Sequence, residues 1–240
     1  MVLQRLFSLI QRRKRAQKLG LKFQRAANFQ IPNSLLINGD RKSVSLPIEN
    51  GVKVAFVEIL LDDCYGLEAL HQPILNVLDI GANVGLFSIA ARNRFPQAVI
   101  HAYEPNPYLE KHLKIQADAA GFDYFMEAVG QEDGKVALEF QEDSVLTRSR
   151  VHEAGEIPQV AFRNTIERLG GSVDLAKVDC EGAEWLLFQD PEPWQSVQNL
   201  SMEYHLWPDH KHDEILQVIQ NLGFQPKKQI PIENYGLLLA

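Results

Sequence analysis

LNVLDIGANVGLF, residues 75–87, is the part of the sequence that says most about the fold. It begins as a short apolar run, interrupted only by Asn76 and Asp79, and then passes through Gly81 and Gly85. A run of this length before a glycine-rich turn is typical of a buried strand in a parallel sheet. Apolar residues at helical spacing follow and end at a proline, so the stretch predicts a strand, a tight turn and a helix. In this arrangement backbone N–H groups face a ligand, and glycines let the ligand lie against bare backbone.

The glycine turn does not match a dinucleotide-binding fingerprint. G-x-G-x-x-G would need glycines where this chain has Asn83 and Leu86. The chain has Asp-x-Gly-x-x-x-Gly instead, with Asp79 directly before the turn. An acid there suits a ligand that carries a positive charge or hydroxyls and lacks a phosphate, and S-adenosylmethionine fits that description. We therefore predict cofactor-binding roles for Asp79, Gly81, Asn83 and Gly85; a tight connection without a ligand is the alternative.

A second acid ends the next predicted strand, residues 98–104. Glu104 lies about 20 residues beyond the turn, where a carboxylate can accept both ribose hydroxyls of an adenosine. Asn106 can cap the following helix, with Pro107 at its first position. A solvated acid at a strand end is the alternative for Glu104. Together with the glycine turn, Glu104 and Asn106 predict an adenosine-binding α/β domain.

Five blocks of sequence occur in an order known from one protein family. They are VLDIGANVGLFS, YEPNP, EAVGQEDGKVALEF, LAKVDCEGAEW and SMEYH, all between residues 75 and 205. On these blocks the chain resembles FkbM-type S-adenosylmethionine-dependent methyltransferases, and KVDCEGAE is the most specific of them. The resemblance implies a Rossmann-like class I methyltransferase fold, a mostly parallel sheet with an antiparallel last strand. It also implies methyl transfer, usually to an oxygen of a sugar, lipid or secondary metabolite.

The resemblance assigns three further residues to the cofactor. Glu127 and Ala128 end a predicted strand over residues 122–128, where methyltransferases read adenine. Tyr65 precedes the first sheet strand, where relatives place an aromatic residue over the methionine end of the cofactor. A tyrosine in a surface turn is the alternative. Asp-Gly at residues 133–134 predicts a hairpin turn into residues 135–140, and the polar residues 141–158 predict a mobile loop near the substrate.

The chemistry is predicted at the ends of the next two strands, because open α/β sheets bind ligands there. Asp179 ends a strand over residues 173–179 and is placed to orient or deprotonate an acceptor hydroxyl. Glu181 can assist it or hold the ammonium group of the cofactor; favourable charge in the first turn of a helix is the alternative. Glu203 and His205 share one face of the strand that ends there, and they predict an acid–base or substrate-binding pair, with a histidine suited to neutral pH. Asp179, Glu203 and the histidines from His205 to His212 could in principle hold a divalent metal, but no compact spacing of ligands supports one.

Basic residues are concentrated in the N-terminal segment, although the net charge of the chain is −7. The segment includes Arg12-Arg-Lys-Arg15 and follows apolar residues that share a helical face: Leu3, Leu6, Phe7 and Ile10. It predicts a solvated helix packed on the domain or on a second copy in a homo-oligomer. Weak contact of residues 1–25 with an anionic membrane surface is the alternative. Nucleic acid is not expected, because no aromatic-interleaved basic surface follows.

A chain of 240 residues fits one α/β domain with an N-terminal appendage. Residues 1–70 are predicted to form a basic helix and a β-hairpin over 38–62, with 52–61 in its second arm. Residues 71–240 form the methyltransferase domain, which closes with an antiparallel pair at 224–230 and 235–239. Cys64 and Cys180 lack a metal or redox spacing, which indicates reduced thiols in a cytoplasmic protein.

Two other functions stay open beside a methyltransferase with a small-molecule acceptor. One is an NAD-dependent oxidoreductase, for which Glu104 would serve equally well, but the broken glycine fingerprint argues against it. The other is a non-catalytic scaffold that keeps an adenosine site, and the intact Asp179 and Glu203 argue against that.

Overall fold

The structure is a computed structural model that describes residues 2–25, 29–139, 148–151, 155–208 and 210–240. The helices are α1 (Val2–Lys18), α2 (Asn50–Phe56), α3 (Leu86–Arg94), α4 (Glu110–Ala120), α5 (Phe162–Arg168), α6 (Glu184–Leu187) and α7 (His212–Asn221). The strands are β1 (Ser34–Ile37), β2 (Asp40–Ser43), β3 (Asn76–Ile80), β4 (Val99–Tyr103), β5 (Asp123–Phe125), β6 (Ala128–Gly130), β7 (Gly134–Glu139), β8 (Arg148–Val151), β9 (Ile157–Ala161), β10 (Leu175–Val178), β11 (Leu200–His205), β12 (Lys228–Ile232) and β13 (Tyr235–Leu239).

A seven-stranded sheet in the order β12-β13-β11-β10-β3-β4-β5 forms the centre of the fold. From β11 to β5 neighbouring strands are parallel, whereas β13 runs antiparallel to both β11 and β12. The strand predicted from residues 75–80 is β3, and its neighbour β10 is buried along its whole length. Burial on both faces explains why these strands are nearly continuous apolar runs. The predicted α/β sheet with an antiparallel last strand is confirmed.

Two apolar clusters cover the two faces of this sheet. Successive residues of a strand point to opposite faces, and Val77 and Leu78 of β3 accordingly belong to different clusters. One cluster gathers residues of α1 to α4, and the other gathers residues of α5 to α7. The carboxyl edge of the sheet, where the parallel strands end, is therefore held rigidly between two packed layers.

The N-terminal hairpin lies earlier in the chain than predicted. β1 and β2 pair antiparallel around Asn38-Gly39, whereas residues 52–61, predicted as the second arm of a hairpin over 38–62, lie in α2 and in a π-helix over Val57–Leu61. Val52 and Phe56 are buried while Val54 between them is 52% exposed. A spacing of four fits both the helical period and the strand period, and the strand interpretation was wrong here.

The predicted strand over residues 122–128 is divided between two sheets. β5 pairs with β4 in the main sheet, whereas β6 pairs parallel with β9 in a second sheet of order β6-β9-β7-β8. Because β9 lies between β6 and β7, Asp133-Gly134 does not join adjacent strands, and the predicted hairpin there is wrong. Asp133 instead accepts hydrogen bonds from the backbone of Ala161 and the side chain of Asn164. The predicted mobile loop includes residues 141–147 and 152–154, which lie outside the described residues.

Helix α1 is anchored to the segment that follows the π-helix. Arg12 donates two hydrogen bonds of 2.6 Å to Asp62, and Arg15 donates to the carbonyl of Leu61 and to Glu68. These two arginines therefore serve packing within the chain, and membrane contact of this segment stays a prediction. None of the described helices has the length and apolar character that crossing a membrane would need. The outward face of α1 exposes apolar side chains: Leu6, Phe7 and Ile10.

Candidate active site

A cavity of about 550 Å³ opens at the carboxyl ends of β3, β4, β10 and β11. Its size is within the range of small-molecule sites. Because parallel strands end at the same edge of a sheet, it collects side chains that are far apart in the sequence. Most of the predicted site residues line it: Tyr65, Gly81, Asn83, Glu104, Glu127, Ala128, Asp179, Glu181, Glu203 and His205. Asp79, Gly85 and Asn106 do not.

Asp79 lies behind the cavity, fully buried. Its Oδ2 accepts a hydrogen bond of 2.7 Å from Ser88, and its Oδ1 lies 3.4 Å from Nζ of Lys177. The positive charge that this acid was predicted to meet on a ligand is therefore supplied by the protein. Burial lowers the pKa of Lys177, but the carboxylates of Asp179 and Asp79 outweigh that effect and raise it.

Lys177 is a site residue that the sequence analysis missed. Its Nζ donates to the carbonyl of Gly81 and lies 3.6 Å from Oδ2 of Asp179, so it joins the ends of β3 and β10. The available signal was a lysine inside an otherwise apolar predicted strand. A buried lysine needs carboxylate partners, and these could have been sought in the acids that end the neighbouring strands.

The glycine turn has the predicted shape, and its missing Cβ atoms make room for neighbouring protein atoms. Gly81 and Gly85 both have positive φ, 75° and 79°. A Cβ on Gly81 would lie 1.8 Å from the carbonyl oxygen of Asp179, and one on Gly85 would lie 3.1 Å from Leu113 and Phe122. The space that a Cβ would occupy at these glycines is taken by protein atoms. Gly81 also lines the cavity, and contact of the turn with a cofactor stays a prediction. Gly81 allows two strand ends to approach, and Gly85 allows the turn to pack against α4.

Glu104 fits the predicted ribose site. Its two carboxylate oxygens accept backbone N–H groups of Asn83 at 2.7 Å and Asn106 at 2.8 Å, and the residue is 7% exposed. Burial raises the pKa of Glu104 to about 7, against the effect of the two N–H groups. Hydroxyl donors from a ligand would favour the ionised form. Asn106 acts indirectly, because its side chain caps the turn after β4 and its backbone holds Glu104.

Glu127 and Ala128 line the cavity, as the adenine prediction requires. The carboxylate of Glu127 is already bound by both terminal nitrogens of Arg168, whose guanidinium lies 5.1 Å from the centre of the Phe125 ring. This fixes Glu127 at the cavity wall. Recognition of adenine by Glu127 and Ala128 stays a prediction.

Tyr65 is buried in the cavity wall rather than placed in a surface turn. It is 4% exposed, and its ring packs edge-on against Phe87. Its hydroxyl donates a hydrogen bond of 2.9 Å to Oδ2 of Asp179, the same oxygen that faces Lys177. Two donors from different elements thus fix the orientation of the Asp179 carboxylate.

Glu181, Glu203 and His205 meet beside Asp179. Nε2 of His205 lies 3.5 Å from Oε2 of Glu181 and 3.5 Å from Oε1 of Glu203. Its Nδ1 lies 3.3 Å from Oε1 of Glu184, a fully buried residue that also accepts the N–H of Cys180. Glu184 is a second residue that the sequence analysis did not assign to the site. Its position on the first turn of α6 gave no sign of a histidine partner.

The protonation of this group differs from the prediction. Burial lowers the pKa of His205, but hydrogen bonding to Glu184 and Glu203 outweighs it and brings the pKa to about 11. Burial raises the pKa of Glu181 to about 8 and also raises that of Glu203. The raised pKa favours the cationic form of His205 at neutral pH, which argues against His205 as the base; its part in an acid–base or substrate-binding pair stays a prediction. Of the neighbouring carboxylates, Glu203 remains the candidate proton acceptor, because a pKa of about 8 leaves Glu181 protonated at neutral pH.

Comparison with known proteins identifies the family. Residues 79–226 match the methyltransferase FkbM domain. Methyltransferase sdnD of Sordaria araneosa is 26% identical over 237 residues, with 79% of this chain and 88% of that protein covered. The 31-O-demethyl-FK506 methyltransferase FkbM of Streptomyces tacrolimicus is 29% identical over 174 residues, with 64% of this chain and 61% of that protein covered.

Among solved structures, Aeropyrum pernix fibrillarin in complex with S-adenosyl-L-methionine aligns with a TM-score of 0.48 at 11% identity. The alignment covers 74% of this chain and 73% of fibrillarin. The matched domain includes the glycine turn, Glu104 and the ends of β10 and β11, so it contains most of the cavity. The predicted α/β fold with a mostly parallel sheet is seen in the structure, and the chain belongs to the methyltransferase FkbM domain family.

Proposed function

We propose that this protein transfers a methyl group from S-adenosylmethionine to a hydroxyl oxygen of a small molecule. Family membership supports methyl transfer, and the name of one relative specifies an O-methylation. None of the relatives named above is an oxidoreductase. The observation that carries the proposal is a single cavity with Glu104 in its wall and Asp179, Glu181 and Glu203 gathered at two neighbouring strand ends. The acceptor class we propose is a sugar, lipid or secondary metabolite.

The residues present fit the cofactor. Glu104 would hold the two ribose hydroxyls, because its buried carboxylate is oriented by two backbone N–H groups and lines the cavity. Tyr65, Glu127, Ala128 and Glu181 would border the same ligand. When bound, S-adenosylmethionine supplies a methyl carbon that its sulfonium already activates. The protein must then align the acceptor oxygen and remove its proton.

The carboxylates divide that work in our proposal. Asp179 orients the acceptor hydroxyl, because Tyr65 and Lys177 hold its own position. Glu203 accepts the hydroxyl proton as the oxygen–carbon bond forms and the sulfur–carbon bond breaks. Burial raises its pKa, and a base gains efficiency as its pKa approaches the working pH. His205, as a cation, stabilises the neighbouring carboxylates.

The acceptor would lie under the helix that was predicted as a strand. One side of the cavity is formed by residues of α2 and the π-helix: Gly51, Val54, Ala55, Glu58 and Ile59. These side chains are small or apolar except for Glu58. Such a wall suits an acceptor with an apolar skeleton that carries the reacting hydroxyl.

Calorimetric titration with S-adenosylmethionine, S-adenosylhomocysteine and NAD tests the cofactor. We expect micromolar binding of the first two, no binding of NAD, and at least tenfold weaker binding in Glu104→Ala. Glu110→Ala is the matched control, because Glu110 is exposed on α4 outside the cavity. Binding of NAD alone would overturn the proposal.

Transfer of a radiolabelled methyl group onto a panel of hydroxylated small molecules then tests the reaction. The expected product carries the label as a methyl ether, which survives conditions that hydrolyse a methyl ester. Labelling of a nitrogen or of a carboxylate would contradict the proposed methylation of a hydroxyl group. Binding of S-adenosylhomocysteine without transfer to any acceptor class would favour the non-catalytic scaffold.

A further inference from the structure

We propose that Asp179, Glu181 and His205 bind a divalent transition-metal cation of the Mn²⁺ or Zn²⁺ type in the cavity. The three residues come from the ends of β10 and β11, and each offers one ligand atom, all within 4.8 Å of one another. The sequence spacing gave no indication of such a site. Cation binding is independent of the proposed function, whereas the role of the cation described below rests on it.

The distances between the ligand atoms suit a metal ion. Two ligands about 2.1 Å from a tetrahedral ion lie about 3.4 Å apart. Nε2 of His205 lies 3.5 Å from Oε2 of Glu181, close to that separation. The ligand atom of Asp179 lies within 4.8 Å of the other two, so inward movement of the side chains completes the coordination.

The surroundings of His205 orient it for metal binding. Nδ1 of His205 faces the buried carboxylate of Glu184 at 3.3 Å, so an N–H group at Nδ1 donates a hydrogen bond to Glu184. That directs Nε2 towards Glu181 and Glu203 inside the cavity. A histidine held by a carboxylate on one nitrogen and by a metal on the other is a recurrent arrangement in metalloproteins. Glu184 itself is fixed by the N–H of Cys180.

The grouping of carboxylates in the cavity also favours a bound cation. Asp179, Glu181 and Glu203 are gathered in one half-buried group, while the neighbouring Lys177 is shared with Asp79. Removing several carboxylates from water is unfavourable unless positive charge accompanies them. Without a metal the protonated His205 supplies it; a divalent cation at Nε2 would displace that proton and bring the larger charge. Two carboxylates with an imidazole suit Mn²⁺ or Zn²⁺ better than Ca²⁺ or Mg²⁺, which favour oxygen ligands alone.

The cation would narrow the class of acceptor. Bound to the acceptor oxygen, it would stabilise the developing alkoxide while Glu203 takes the proton. An acceptor with a second oxygen on the adjacent carbon would chelate the ion and be positioned by it. We therefore infer that vicinal diols and α-hydroxy carbonyl compounds are methylated in preference to isolated alcohols.

Electron paramagnetic resonance with Mn²⁺ tests the site directly. Untagged, chelator-treated full-length protein is titrated with Mn²⁺, whose free-ion signal decreases on binding. We expect one ion per chain, displaced by Zn²⁺, with affinity reduced at least a hundredfold in His205→Ala and about 10–100-fold in Glu184→Gln. His71→Ala is the control, because His71 is exposed outside the cavity. No binding by the wild type, or equal binding by His205→Ala, would overturn the site.

Two further readouts separate this proposal from the proposed function. S-adenosylhomocysteine affinity, measured with and without Mn²⁺, reports cofactor binding alone and confirms that His205→Ala is folded. If the protein binds Mn²⁺ but transfers no methyl group, the metal site is confirmed and its proposed role in methyl transfer is overturned. Equal methyl transfer in the presence of a chelator, or no preference for the vicinal diol, would also overturn the role.

Discussion

Glu104 is a carboxylate whose protonation is governed by burial. Its pKa is raised to about 7, although two backbone N–H groups favour the ionised form. The folded protein therefore holds this proton more tightly than the unfolded chain does. The stability contributed by that proton is fully present below about pH 4.5 and is lost as the pH rises through 7.

Ligand binding should show the opposite dependence on pH. Ribose hydroxyls donate to the ionised carboxylate, so we expect the affinity for S-adenosylhomocysteine to rise about tenfold between pH 6 and pH 8. In Glu104→Gln the affinity should be lower and nearly independent of pH. Calorimetric titration at several pH values measures both. An equal slope in the variant would assign the effect to another group, such as Glu181.

Asp179 should matter for turnover more than for cofactor affinity. Its carboxylate is fixed by Tyr65 and Lys177, and its proposed partner is the acceptor. We expect Asp179→Asn to lower kcat by about 10²-fold or more, with S-adenosylhomocysteine affinity changed by less than about threefold. Initial rates and calorimetry on the same preparation measure the two quantities. A variant with full kcat would show that the hydroxyl is oriented elsewhere.

At the level of secondary-structure elements, β3 and β10 are joined at their carboxyl ends by close contacts on one side of the cavity. Gly81 in the turn after β3 faces the carbonyl of Asp179, and Lys177 of β10 reaches back to Asp79 of β3. Backbone approach and ion pairing thus act at the same junction.

Gly81→Ala should destabilise the fold more than an ordinary glycine substitution. Both Gly81 and Gly121 have positive φ, but a Cβ on Gly121 meets nothing within 4 Å. We expect Gly121→Ala to cost about 1–2 kcal/mol, from backbone strain alone. Gly81→Ala should cost about 1–3 kcal/mol more, because the two strand ends must separate. Urea unfolding of both variants measures the difference, and equal losses would contradict the close approach.

Lys177→Met should leave two carboxylates without their cation. Removing one partner of a buried ion pair typically costs about 3–5 kcal/mol. Adding Asp79→Asn should restore part of that loss, because the uncompensated charge at the fully buried position disappears. Denaturant unfolding of the single and double variants measures the coupling. If the two losses simply add, Asp79 and Lys177 do not stabilise each other.

For the whole molecule, the N-terminal segment and the sheet share one apolar cluster. Ala16, Phe56 and Phe87 belong to it together, although they come from α1, α2 and α3. The arginines of α1 add ion pairs to the same junction. The cluster therefore continues across the predicted boundary between residues 1–70 and 71–240.

We expect the chain to unfold in one cooperative transition. Differential scanning calorimetry should give equal calorimetric and van't Hoff enthalpies, because the shared cluster couples the two segments. A chain shortened by residues 1–25 should melt at a lower temperature, since Ala16, Leu19 and Phe23 leave the core. Two separate transitions in the full chain would instead support an independent appendage.

Local patterns in the chain were enough to predict the strand–turn–helix of residues 75–87, the sheet with its antiparallel end, the family, and the position of Glu104 at the end of a strand. These depend on periodicity, glycine spacing and the order of sequence blocks, which are properties of neighbouring residues. Residues 52–61 were misassigned because a spacing of four fits both the helical and the strand period, and only packing distinguishes them.

Tertiary structure alone decided which charged groups meet. Lys177 occupies the place of the predicted ligand charge beside Asp79, and Glu184 behind His205 changes the protonation of that histidine. The ligand atoms of Asp179, Glu181 and His205 come together because two parallel strands end side by side. Electrostatic interactions depend on distance through space and on burial, and neither follows from separation along the sequence.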